Sequence, residues 1–246
     1  MTLSIFLHGG GDHEASREAV YGRFLDAGGR GNEGRFALIV VAPTLDEAAA
    51  DYHAYAAILM SLLTDSDALL PILLAPQTPL TVAHLEEVVP TAVFVCGGKT
   101  PLYHQALCQD TSWLNYVRER GLPYGGTSAG AAIAAKTAVL GGWQTTRNDA
   151  VIRDILFVGA SEGQDLLTTE PGLGLVPFAV DVHASQMGTL TRLIHAIEQG
   201  HSAEGWAIDE NTMLEITPTT QQVYGRGHAY HLLRQPDGQV CIAIVC

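Results

Sequence analysis

Along the first half of the chain, short and uniformly apolar runs alternate with longer segments whose apolar positions recur every three to four residues. The runs fall at residues 3–7, 36–42, 70–74, 92–96 and 121–124. Runs of this length without polar alternation read as strands buried on both faces. Residues 14–27, 45–63, 81–87 and 99–119 carry the helical spacing between them. The alternation predicts an α/β fold, a mostly parallel sheet with helices on both faces. Past residue 138 the pattern changes. Residues 176–182 read as a strand ending at His183, and 190–199 as a helix. Residues 205–208 and 212–216 read as a strand pair or one bent strand. Runs near 223–224, 229–232 and 240–245 read as an antiparallel C-terminal extension, with Pro236-Asp237-Gly238 as a hairpin turn. No linker, low-complexity tract or repeat interrupts the series, so 1–246 reads as a single domain.

Composition narrows the setting. The 246 residues are 47% hydrophobic, enough for a large core. With 26 acidic against 13 basic residues, the net charge of −13 argues against a nucleic-acid or anionic-membrane partner. No signal-peptide pattern opens the sequence and no apolar run is long enough to span a bilayer, so a cytoplasmic location is expected. Cys96, Cys108, Cys241 and Cys246 have no metal-ligand spacing and read as buried, reduced thiols. No metal or cofactor is expected.

The candidate chemistry lies at Gly126-Thr127-Ser128-Ala129-Gly130, between an apolar approach and an Ala-rich run at 131–138 that suits a buried helix. This is G-x-S-x-G in a strand–turn–helix context, the setting of a nucleophile elbow. A serine on so sharp a turn needs very small neighbours, and the helix N-terminus beneath it offers N–H groups to a developing oxyanion. The plain alternative is a glycine-rich turn whose serine caps the helix. A nucleophilic serine needs a base and a group to orient it. His183, just past a buried strand, is the base candidate, because residues beyond the carboxyl ends of parallel strands share one rim with Ser128. Glu210, just past the run at 205–208, is the candidate to hold the imidazole.

Phe94-Val95-Cys96-Gly97-Gly98, Gly126-Thr127-Ser128-Ala129-Gly130-Ala131, Asp181-x-His183-x-x-Gln186-x-Gly188 and Gly205-x-Ala207-Ile208-Asp209-Glu210-Asn211-Thr212 occur in that order. Together they resemble peptidase family S51, which comprises cyanophycinase and the aspartyl dipeptidase (peptidase E) group. The resemblance implies a flavodoxin-like sheet akin to class I glutamine amidotransferases. It implies Ser128 as nucleophile, His183 as base and Glu210 as the acid, with the N–H groups of Gly98 and Ala129 as oxyanion donors. Thr145-Thr146-Arg147-Asn148-Asp149 resembles a stretch of the dipeptidase branch, which makes Asp149 a rival third member or a contact for a substrate amine.

Val182, Met187 and Thr189 stand where the cyanophycinase branch is rich in arginine and glutamine, and Lys99-Thr100 replaces its Asp-Gln. An exopeptidase or dipeptidase acting on small peptides is therefore expected, in preference to a cyanophycin-degrading enzyme. Arg192, Asp181, Asp149 and Arg147 are the substrate-binding candidates, with Arg192 placed to meet a free carboxylate. A homodimer is left open as the assembly. Two other readings stand beside this one. An α/β-hydrolase esterase would use His8-Gly9-Gly10-Gly11 as its oxyanion loop and Ser128, Asp209 and His228 or His231 as its triad. A catalytically inactive amidotransferase-like binding module would use none of them.

Overall fold

The computed structural model describes residues 3–31, 33–147 and 151–246. The strands are β1 (Ile5–His8), β2 (Phe36–Val41), β3 (Leu69–Leu74), β4 (Ala92–Val95), β5 (Tyr124–Thr127), β6 (Thr137–Gly141), β7 (Gln144–Arg147) and β8 (Val151–Asp154). They continue with β9 (Thr168–Pro171), β10 (Ala179–Val182), β11 (Glu204–Ile208), β12 (Thr212–Ile216), β13 (Gln221–Gly225), β14 (Ala229–Arg234) and β15 (Val240–Val245). The helices are α1 (Arg23–Ala27), α2 (Leu45–Met60), α3 (Val82–Val88), α4 (Thr100–Leu107), α5 (Trp113–Arg120), α6 (Ala129–Ile133) and α7 (Leu190–Glu198).

A seven-stranded sheet in the order β13-β12-β1-β5-β4-β2-β3 carries the α/β half. From β1 to β3 every pairing is parallel, and β12 and β13 add an antiparallel edge. Period-two alternation sends Ile5 and Leu7 of β1 to one face and Phe6 and His8 to the other. The first face packs on α3, α4 and α5 through Leu85, Ala106 and Trp113. The opposite face packs on α1 and α2 through Phe24, Leu25 and Leu59. A six-stranded sheet, β15-β14-β11-β10-β6-β9, stands beside it. One apolar cluster joins the two sheets, since Val180, Trp206 and Ile208 pack in the same group as Leu7, Val95 and Ala131.

The structure corrects the expected elements in several places. Helix α6 stops at Ile133, short of the expected 138, because the 173–175 segment captures the carbonyls that would continue it. Leu173 donates to Ile133, Leu175 to Ala134 and Gly174 to Ala135. Strands β11 and β12 are neither paired nor one strand, since the turn at 209–211 sends one into each sheet. The C-terminal strands divide likewise, β13 to the first sheet and β14 and β15 to the second. Residues 14–27 form short 3₁₀, π and α pieces in place of one regular helix. Cys241, on the edge strand β15, and Cys246, just past it, are exposed, whereas Cys96 is buried. Among the described residues, no helix is long and apolar enough to cross a membrane.

Two buried polar groups shape the fold behind the strand ends. Arg192 of α7 makes a two-pronged ion pair with Asp181 of β10, at 2.8 and 2.7 Å, and also donates to the Ala160 carbonyl at 2.8 Å. Both side chains are almost wholly buried, at 5% and 2% exposure. His8 is fully buried, stacked on Tyr21 at 4.8 Å, and neither ring nitrogen has a hydrogen-bond partner among the described residues. Burial without a partner disfavours the charged ring, and its pKa falls from 6.5 to about 3.

These two groups give separate stability predictions. Arg192→Met strands a buried carboxylate and should cost about 3–5 kcal/mol in urea unfolding. Adding Asp181→Asn should recover part of that loss, and an additive double variant would contradict the ion-pair account. For His8, the folded state keeps the ring neutral down to about pH 3 while the unfolded chain takes up a proton below about 6.5. Acid therefore favours unfolding across that window, by about 1.4 kcal/mol per pH unit from this group, with no contribution above it. His8→Met should flatten the fall in stability between pH 6.5 and 4. Equal slopes for the two proteins would refute the assignment.

Candidate active site

Ser128 follows β5 directly and heads α6 with φ +50° and ψ −114°, a backbone state that side chains rarely adopt. The flanking glycines explain how the turn closes. A Cβ on Gly126 would lie 2.5 Å from the Gly130 carbonyl oxygen, and one on Gly130 would lie 2.2 Å from that of Val95. The expected elbow is present in its strained form.

His183 follows β10, also at positive φ, +57°. Its Nε2 lies 2.9 Å from Ser128 Oγ, and its Nδ1 lies 2.9 Å from Glu210 Oε1. Glu210 is fixed in turn, because its N–H donates to Gln186 Oε1 at 2.9 Å. The backbone of the 8–11 segment brings these parts together. The Ser128 N–H donates to the His8 carbonyl at 3.1 Å, His183 to Gly9 at 3.0 Å and Asn211 to Gly10 at 2.7 Å. Side chains have no room along this strip. A Cβ on Gly10 would lie 2.2 Å from His183 Cε1, at a φ of +91° that already favours glycine.

Ser128 and His183 open onto a cleft of about 420 Å³ whose walls include Tyr21, Tyr55, Ile58 and Gly98. The charged side chains in its lining are Asp12 and Asp51. Arg17 grips Asp12 through two bonds of 2.7 and 2.6 Å and holds its carboxyl below the usual range. Burial pushes the phenols of Tyr21 and Tyr55 well up, so both stay protonated. Gly98 lines the cleft, and Ala129 heads α6, where its N–H has no acceptor within the helix.

The substrate-binding expectations fare differently. Arg192 and Asp181 satisfy each other in the interior, so neither is a free grip for substrate, and the expected carboxylate clamp is corrected on that ground. Arg147 ends β7, and Asp149 lies outside the described residues. The esterase set is not assembled on Ser128. The Asp209 carboxylate accepts from the Ser185 and His228 N–H groups, and the His231 ring bonds Glu204 at 2.8 Å. In the His8-Gly9-Gly10-Gly11 segment the first three carbonyls accept the N–H groups of Ser128, His183 and Asn211, and the Gly9 N–H donates to the Thr212 carbonyl. Cys96 is buried and its thiol is pushed well up, which leaves it a poor nucleophile.

Sequence reasoning missed Tyr21, Tyr55, Tyr103 and Glu162. Glu162 accepts the Thr100 N–H at 3.1 Å, at the start of α4, and burial raises its pKa. Tyr21, Tyr55 and Glu162 lie far in sequence from the motifs and Tyr103 only just past one, each on a segment whose pattern announces only a helix or a loop.

The sequence model of peptidase family S51 matches residues 5–223. Among curated proteins, the cyanophycinase of Geminocystis herdmanii (strain PCC 6308) is 31% identical over 127 residues, 50% of this chain and 41% of that protein. Cyanophycinases of Synechococcus elongatus and Thermosynechococcus vestitus are each 35% identical over 144 residues, 56% of this chain and 40% of theirs. The matches thus take in less than half of those relatives' own length. Among solved structures, a peptidase from an acI-B1 Actinobacterium superposes with a TM-score of 0.60 at 14% identity, covering 100% of this chain and 95% of that one. A peptidase E-like protein from Listeria monocytogenes EGD-e gives 0.58 at 18% identity, covering 92% of this chain and 100% of that one. At such identities the structural likeness speaks for the α/β fold alone. The family match takes in β1, the elbow and the segments that carry His183 and Glu210, and by it the chain belongs to peptidase family S51.

Proposed function

We propose that the chain is a serine peptidase that hydrolyses short peptides through Ser128, His183 and Glu210. The observation that carries this reading is the unbroken pair of 2.9 Å contacts from Ser128 Oγ through the imidazole to Glu210, at the mouth of a cleft. In this reading His183 Nε2 takes the Ser128 proton as Oγ attacks the substrate carbonyl carbon. Glu210 holds the ring by Nδ1 and stabilises the imidazolium that forms. The N–H groups of Gly98 and Ala129 receive the negative oxygen of the tetrahedral intermediate. The intermediate collapses as His183 returns the proton to the leaving amine, and an acyl-enzyme remains on Ser128. Water, deprotonated by His183, then attacks the ester carbonyl, and the imidazolium gives that proton to Ser128 Oγ as the acid product leaves.

A cleft of about 420 Å³ suits a short peptide better than a long polymer. Of its two acidic lining residues Asp12 is held by Arg17, and Asp51 is the carboxylate that favours the free amino end of the substrate over its carboxylate. With Arg192 withdrawn into the interior, an exopeptidase or dipeptidase that reads the amine is the reading best supported.

The test begins with a screen of short peptides read by mass spectrometry and labelling by a fluorophosphonate. Wild type should be labelled at Ser128, and Ser128→Ala should lose labelling and turnover with little change in thermal stability. His183→Ala should lower kcat by about 10³ or more, and Glu210→Gln should also lower it steeply. Near wild-type turnover in His183→Ala would end this reading. Gly10→Ala should lower kcat by displacing the imidazole while Ser128 itself is untouched. A peptide with a free amino end should be cleaved faster than its N-acetylated form, and the reverse preference would remove the amine from the proposal.

A further inference from the structure

Gly97 and Gly98 form the turn between β4 and α4, and the two faces of Gly97 are held by phenols from different helices. The Gly97 N–H donates to the Tyr55 hydroxyl oxygen of α2 at 3.0 Å. The Tyr103 hydroxyl of α4 donates to the Gly97 carbonyl at 2.9 Å. Tyr103 is fully buried, and burial pushes its phenol up, so it stays a protonated donor. The Gly97 carbonyl and the Gly98 N–H belong to one peptide plane and point in opposite directions, because that bond is trans. A donor that anchors the carbonyl from the core side therefore aims the N–H away from the core, toward the cleft that Gly98 lines. It also polarises the amide, since a hydrogen bond to the carbonyl strengthens the N–H as a donor. Steric fit adds to this. A Cβ on Gly98 would lie 2.8 Å from Tyr103 Cε2, and one on Gly97 would lie 2.5 Å from the Tyr55 hydroxyl.

We infer that Tyr103 and Tyr55 are positioning residues for an oxyanion donor, Tyr103 by orienting and polarising the Gly97–Gly98 peptide and Tyr55 by holding the preceding Cys96–Gly97 peptide of the same turn. The inference rests on the reading of Gly98 as such a donor. Neither phenol exchanges a proton with substrate. They act through the peptide, so their effect belongs to the tetrahedral state and not to ground-state binding.

The test compares wild type with Tyr103→Phe, which keeps the buried ring and removes only the hydroxyl. The substrate is a short peptide that wild type cleaves, and the probe is its peptidyl boronate, which forms a tetrahedral adduct on the serine. In Tyr103→Phe, kcat should fall about tenfold, less than the loss of a whole oxyanion donor, with KM within about twofold. Affinity for the boronate should fall by the same factor as kcat. Tyr55→Phe, which frees the preceding peptide of the same turn, should also lower kcat and boronate affinity together, and it carries the test of the turn's positioning if Tyr103→Phe does not fold. Unchanged kcat and boronate affinity, or a change confined to KM, would overturn the assignment while leaving the Ser128 reading intact. Absence of both peptide hydrolysis and serine labelling in wild type would instead overturn the reading on which it rests.

Discussion

Three successive backbone carbonyls, those of His8, Gly9 and Gly10, hold the N–H groups of Ser128, His183 and Asn211. The rest of the site depends on this strip. β1 lies between parallel β5, which delivers Ser128, and antiparallel β12, which begins just after Asn211. Beyond the end of β1 the strip also reaches the second sheet, whose strand β10 delivers His183. The spacing between the backbones that carry Ser128 and His183 is therefore set by main-chain bonds. Ser128, His183 and Asn211 all sit at positive φ, a cost of order 1–3 kcal/mol each for residues with side chains. Buried strands on both sides hold that strain in place, because relieving it would break the pairing of β1 with its neighbours.

Charge is distributed so that the interior braces the site without occupying it. The Asp181–Arg192 pair fastens β10 to α7 just before the chain turns to His183, and Thr189 donates to the Val182 carbonyl across the same turn. Asp209 does a similar task on the other side, where its carboxylate gathers the Ser185 and His228 N–H groups. Both acids flank the contact between His183 and Glu210 and leave it open at the surface, at 17% and 26% exposure of the two side chains. The proposed role of His183 requires that its ring reach substrate, and the buried Asp181 and Asp209 brace its surroundings without covering it.

How much of this was legible follows from how each feature is encoded. The parallel strands announce themselves because burial on both faces demands continuous apolar runs, and the elbow because strained backbone demands glycine beside Ser128. Gln186 stood within a quoted motif, yet its hold on the Glu210 N–H is a contact between chain segments that only the folded turn creates. Arg192 shows the opposite error. Its place after the His183 motif suggested a substrate grip, but a helical residue on the apolar face of α7 points inward, and there Asp181 neutralises it. The 142–172 stretch, with β7, β8 and β9, has too little periodicity to announce strands. Tyr55 and Tyr103 have no local sign of their role, because a phenol at helical spacing is first of all a core residue.

The least expected member of the core is His8, whose main chain and side chain face opposite demands. Its carbonyl positions the Ser128 N–H, while its ring, without a partner, lies against Tyr21 and Phe94. The imidazole in this place is tolerated only while it stays uncharged, since among the described residues no acceptor is at hand for a second N–H. Tyr21 is shared between this packing and the wall of the cleft. Protonation of His8 would therefore disturb one structural unit, the end of β1 together with the cleft wall, and not a remote part of the core. A charge on the His8 ring would loosen the strand end that sets the position of Ser128, so the loss of stability in acid that this residue brings begins beside the site.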